Sequence, residues 1–199
     1  MMLGAPATDL RARLTRALTA QAHPSSDFDL LGTTPEGLEA RPAGVLIAFL
    51  PDGRMYLTTR ASSLRHHAGQ ISLPGGRVDP GDADEIAAAL REAHEEIGLP
   101  PSRVTVLGTL PAHRTVTGFS MTPVIGLIDA PFDPVSEIGE VAEVFTVPFH
   151  HIADPANYRE ERRLWRGGWR SYHVVPWGPY YIWGATARVL FGLAQRLSA

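Results

Sequence analysis

One segment limits the fold more than any other: "PGGRVDPGDADEIAAALREAHEEIGL", Pro74 to Leu99. A glycine pair leads into a stretch in which Ile86, Ala89, Leu90, Ala93 and Ile97 recur with the helical period and make one apolar stripe. Asp82 or Asp84 can cap the start of this helix, and Gly98 followed by Pro100 and Pro101 ends it. The stripe needs an apolar surface to pack against. Beside it stand Glu85, Glu92, Glu95 and Glu96, with Arg91 one turn before Glu95 as the only nearby cation on the helix. Like charges at such spacing destabilise a helix by roughly 0.2–0.5 kcal/mol per pair. A solvated face tolerates that cost, and so does a site for a hard cation, because carboxylate oxygens suit Mg²⁺ and Mn²⁺. The helix alone leaves both readings open.

The rest of the chain supplies the surface. "AGVLIAFL", a Pro-Asp-Gly turn and "RMYLTTR" predict a β-hairpin. "RVTVLGTLPAHRT", "MTPVIGLID" and "EVAEVFTVP" predict further strands, while "GGWRSYHVVPWGPYYIWG" alternates aromatic and polar residues around turns. Leu10, Leu14 and Leu18 mark an opening helix, "AHPSSDFDLLGTTPEG" reads as a polar connector, and "ATARVLFGLAQRLSA" closes as an amphipathic helix. The expectation is a helix and connector over 1–40 packed on a domain over 41–199. That domain is of the α/β class, with a mixed sheet between helices.

Composition removes whole classes of chemistry. The chain has no cysteine, so disulfides, thiolate nucleophiles and cysteine-bound metals are out. All 18 basic residues are arginine, which excludes Schiff-base chemistry and a Walker-type phosphate loop. Arginine still grips phosphate well through its planar fork of donors. A net charge of −3 gives no global footprint for nucleic acid or an anionic membrane, and no apolar run approaches a bilayer span. The partner expected is a small molecule, not a nucleic acid or a membrane, and the expected compartment is the cytoplasm. A homodimer is admitted but not specified.

The segment "GG…REAHEEIGL" resembles the signature of the Nudix hydrolases, in which Arg91, Glu92, Glu95, Glu96 and Gly98 all have counterparts. The resemblance implies a Nudix-type α/β/α sandwich. It also implies a divalent metal, Mg²⁺ or Mn²⁺, held against a substrate diphosphate by Glu92 and Glu96. Glu95 would be a further ligand or a support, and Arg91 would orient a carboxylate. The spacing departs from the family pattern by one inserted residue, since Gly76 lies fifteen positions before Arg91 and Asp82 stands six after that glycine.

The preceding loop, "LTTRASSLRHHAGQISLPGG", is similar to the extra signature of the coenzyme A pyrophosphatase subfamily. Arg60, Arg65, Gly69, Pro74, Gly75 and Gly76 agree with it; Ala61 and Leu73 depart. The subfamily shows the same insertion. This implies hydrolysis of coenzyme A to 3′,5′-ADP and 4′-phosphopantetheine, with Gly75 and Gly76 at the substrate and Arg60, Arg65 and His66 on its phosphates. ADP-ribose, a dinucleotide such as NADH, or a silent binding module are the rival readings. For the residue that takes a proton from the attacking water, Glu95, Glu140 and Glu143 compete. His113, His150 and His151 lack the HExxH spacing of a zinc site, so hydrogen-bonded or solvated histidines are expected there.

Overall fold

The computed structural model describes residues 7–21, 23–30, 39–64, 67–165 and 167–199. In chain order the elements are α1 (Ala7–Thr19), β1 (Ser25–Ser26), β2 (Arg41–Phe49), β3 (Arg54–Arg60), β4 (Ile71–Ser72), β5 (Gly75–Arg77) and α2 (Glu85–Ile97). There follow β6 (Val104–Thr109), β7 (His113–Arg114), β8 (Phe119–Ile128), β9 (Val141–Pro148), α3 (Phe149–Ile152), β10 (Arg159–Trp165), β11 (Gly168–Trp177), β12 (Tyr180–Trp183) and α4 (Ala185–Leu197).

Strand β2 organises the sheet. It runs parallel to β8, with Arg41 opposite Phe119 and Phe49 opposite Leu127, and antiparallel to β3 and β5. Strand β6 adds to β8, and β9 adds to β3. Alternate residues of β2 serve opposite faces. Val45, Ile47 and Phe49 join Leu10 and Leu14 of α1 and Leu190 and Leu193 of α4 in one core. Leu46 and Ala48 pack with Ala89, Ala93 and Ile97 of α2 in the other. A strand covered on both sides reads as a continuous apolar run, which is why "AGVLIAFL" does not alternate. The mixed sheet between helical layers expected from the sequence is therefore the fold of the chain.

Three details differ from the expectation. The connector contributes β1, a two-residue parallel bridge to β7. The stretch "RVTVLGTLPAHRT" is two strands, β6 and β7, which run in the same direction along β8 but are interrupted where residues 110–112 leave the ladder, three residues facing two of β8. The aromatic C-terminal strands β10, β11 and β12 form a sheet of their own instead of extending the main one.

Helix α2 sits unusually close to β2. A Cβ on Gly44 would lie 1.9 Å from the carbonyl oxygen of Glu85 and 3.0 Å from the amide of Ala89. Only glycine admits the first turn of the helix at this distance. Since Gly44 also pairs with Gly76 on its other side, this strand fixes helix and turn together.

Candidate active site

The site lies where β5 meets α2. The amide of Ala87 donates to the Asp84 side chain at 2.8 Å, so Asp84 is the cap and Asp82 is available for another task. That task is to hold Arg91. Its Nε donates to Asp82 Oδ1 at 3.0 Å and its Nη2 to Asp82 Oδ2 at 2.9 Å. Nη1 donates to Glu92 at 3.0 Å and Glu95 at 3.1 Å, and Nη2 also reaches the carbonyl of Arg77 at 3.1 Å. One guanidinium thus ties the spacer, the glycine strand and two helix carboxylates together. Asp82, in the spacer that carries the inserted residue, lies within reach of Arg91, a function its spacing alone did not reveal. A lysine cannot span this fork. Arg91→Lys should therefore lower the unfolding free energy by about 2 kcal/mol, the loss of several charge-assisted hydrogen bonds partly replaced. Urea unfolding of the two proteins checks it, and unchanged midpoints would refute the clamp.

The three helix glutamates, grouped by sequence on one side, part company in space. The Glu95 side chain is 54% exposed and turned to Arg91. Glu92 is half-buried beside Gly76, where an added Cβ would come within 2.4 Å of its carboxyl carbon. Glu96 is only 3% exposed, and its Oε2 accepts from the Gly75 amide at 3.2 Å. Burial raises the Glu92 carboxyl, with Arg91 opposing, and pushes Glu96 up to about 7, with the Gly75 amide opposing and the Glu92 charge adding. Glu140 immediately precedes β9, and its charge reaches both Glu92 and Glu96. Glu143 instead accepts from Tyr180 at 2.7 Å, and that tyrosine stacks on Phe145 with ring centroids 3.6 Å apart.

Across from Glu96 stands Arg60, at a register shift between β3 and β9. Its Nη1 is 4.0 Å from Glu96 Oε1, and its buried Nε has no hydrogen-bond partner among the described residues. Arg65 and His66 lie outside the described residues. His113 is buried between Ser25 and Asp27 at 2.9 and 3.0 Å, and His151 shares a 2.9 Å hydrogen bond with the Pro176 carbonyl.

Among the described residues no three acidic or histidine side chains already close around a common point. The donor set nevertheless fits a hard divalent ion. Glu92 and Glu96 offer oxygen ligands from one helix face, burial raises the carboxyls of both, and the contact of Glu96 with Arg60 is a long one. A dication would relieve that charge, and the orphaned Nε of Arg60 is suited to an anion beside it.

The NUDIX domain profile matches residues 39–175. The chain is 41% identical over 179 residues to the uncharacterized Nudix hydrolase NudL of Salmonella newport, covering 88% of this chain and 93% of that one. The same identity and coverage hold for NudL of Salmonella enteritidis. Among solved structures, RenU, a Nudix hydrolase of M. smegmatis, is 30% identical with a TM-score of 0.46, covering 58% of this chain and 74% of that one.

Proposed function

Since the chain belongs to the Nudix hydrolases, we propose that its substrate is coenzyme A, cut at the diphosphate to 3′,5′-ADP and 4′-phosphopantetheine. The observation that carries the chemistry is Glu96, a buried carboxylate beside the Gly75 amide and within 4.0 Å of an arginine with an unsatisfied nitrogen. Such a charge calls for a cation, and the arginine calls for an anion.

Glu92 and Glu96 hold the divalent ion, Mg²⁺ or Mn²⁺, with Glu95 close enough in sequence to add an oxygen. That ion, when bound, neutralises the diphosphate and makes a water more acidic. Gly75 and Gly76 let the substrate's phosphates approach the backbone. Arg60 binds a phosphate oxygen through its free donor, and Arg65 and His66 meet the other anionic groups of coenzyme A. Glu140 takes the proton as the water oxygen bonds to phosphorus and the bridging P–O bond breaks, its electron pair leaving with the other phosphate. Glu95, engaged by Arg91 on the exposed side, is the weaker choice for that proton. Arg91 positions Glu92 and does not touch substrate.

The choice of coenzyme A rests on the likeness of Leu57 to Gly76 to the subfamily signature, supported by the placement of Arg60 beside Glu96. Purified protein should be offered coenzyme A, ADP-ribose and NADH, each with Mg²⁺ and with Mn²⁺, and the products resolved by chromatography. The expected result is 3′,5′-ADP and 4′-phosphopantetheine, with kcat/KM for coenzyme A about tenfold or more above either rival, roughly 1.4 kcal/mol of discrimination. Faster turnover of ADP-ribose or NADH would overturn the assignment.

A further inference from the structure

All 21 acidic residues lie at or before Glu161, whereas the segment from Arg162 to Ala199 contains six arginines. Four of those arginines fall within "RRLWRGGWR", Arg162–Arg170, the end of the hairpin formed by β10 and β11. The net charge of −3 conceals this asymmetry. The base of the hairpin is anchored, with Val174 and Val175 fully buried, but from Arg162 to Leu164 and from Gly168 to Arg170 every described side is exposed. The hairpin end is a projecting arm.

Its two faces are unlike. On one, Leu164 and Trp169 are cross-strand partners, 58% and 63% exposed, and the Arg162 guanidinium lies 5.5 Å from the Trp169 ring centre. On the other, Arg163 and Arg170 stand directly opposite each other. Water makes the first face costly, because a large apolar pair remains hydrated there. An anionic interface covers that pair and meets the arginines beside it.

We propose that this hairpin end docks the protein on an anionic phospholipid surface. Leu164 and Trp169 sink to the headgroup level, where an indole is favoured, and the arginines meet lipid phosphates. Among the described residues no helix is long and apolar enough to cross a bilayer, so the attachment is peripheral. The aliphatic Leu164 beside Trp169 favours a bilayer over a single-stranded nucleic acid, which uses aromatic platforms along a groove.

The test is sedimentation of the full-length protein with vesicles of pure phosphatidylcholine and with vesicles containing about one third phosphatidylglycerol. Binding is expected only to the anionic vesicles, weakening steeply with salt and accompanied by a blue shift of tryptophan emission. The pair Arg162→Gln and Arg170→Gln should lower the partition coefficient about 30-fold, since each cation near an anionic surface contributes about 1 kcal/mol. The pair Leu164→Ser and Trp169→Ser should lower it about tenfold or more. Both double variants should hydrolyse soluble substrate as the parent does, which separates docking from misfolding. Equal binding to neutral vesicles, or variants that sediment like the parent, would overturn the proposal. So would a parent dimer that the variants dissociate, or tighter binding to an oligonucleotide than to lipid.

Discussion

Glu96→Gln is expected to lower kcat/KM about 10³-fold, roughly 4 kcal/mol of transition-state stabilisation, while making the metal-free protein more stable above neutral pH. The two effects have one cause. Glu96 sits in a nearly dry position, and burial pushes its carboxyl from an ordinary value near 4.5 up to about 7. Between those pH values the folded state holds a proton that the unfolded chain has released. The unfolded state then binds fewer protons, so stability falls as pH rises from about 4.5 to about 7 and stays reduced above it. The ceiling of this loss is about 3 kcal/mol, and glutamine, with no charge to bury, escapes it. Glu92, also raised, adds to the slope in the parent and keeps part of it in the variant. Thermal unfolding with a chelator from pH 5 to 8, beside assays with Mn²⁺, measures both quantities. A variant that turns over like the parent would refute the role of Glu96 in catalysis. A variant with the parent's full pH slope would refute the burial account.

Gly44→Ala should cost about 3 kcal/mol or more of folding stability, a large part of the 5–15 kcal/mol typical of a domain. The added methyl would have to share space with the Glu85 carbonyl oxygen, 1.9 Å away, and that oxygen belongs to helix backbone, which cannot rotate aside. Relief requires α2 to lift from β2, and Ala89, Ala93 and Ile97 would lose their contacts with Leu46 and Ala48. Activity should fall too, because Gly44 is the ladder partner of Gly76, against which Glu92 rests. Denaturant unfolding and a coenzyme A assay of the same sample test the two claims. A parent-like midpoint would mean that the helix does not need glycine beneath it.

Helix α2 was legible in the sequence because its signals are local. The apolar period, the aspartate before it and the glycine after it all act within a few residues, and the structure selects Asp84 from the two candidate caps. The apolar run of β2 and the Pro-Asp-Gly turn after it announced a hairpin for a similar reason, whereas the burial of both its faces emerged only from the packing. Periodicity could not distribute the glutamates. Whether Glu95 or Glu96 points inward depends on where β5 crosses the helix, a contact between segments about twenty residues apart. The grip of Arg91 on Asp82 was hidden in an irregular spacer, whose loop geometry, not its period, brings the two together. Likewise, the separate C-terminal sheet follows from hairpin turns and from packing on α4, neither of which alternation alone specifies.

The parallel union of β2 with β8 has a bearing on how the protein is made. Its partners lie nearly eighty positions apart, Arg41 opposite Phe119, so this ladder is the non-local kind that closes slowly. During synthesis the first half of the chain emerges with its central strand lacking a neighbour on one flank and with apolar side chains on both faces. Maturation of the carboxylate cluster therefore waits on residues translated well after the cluster itself, and the nascent polypeptide is most prone to self-association in that interval.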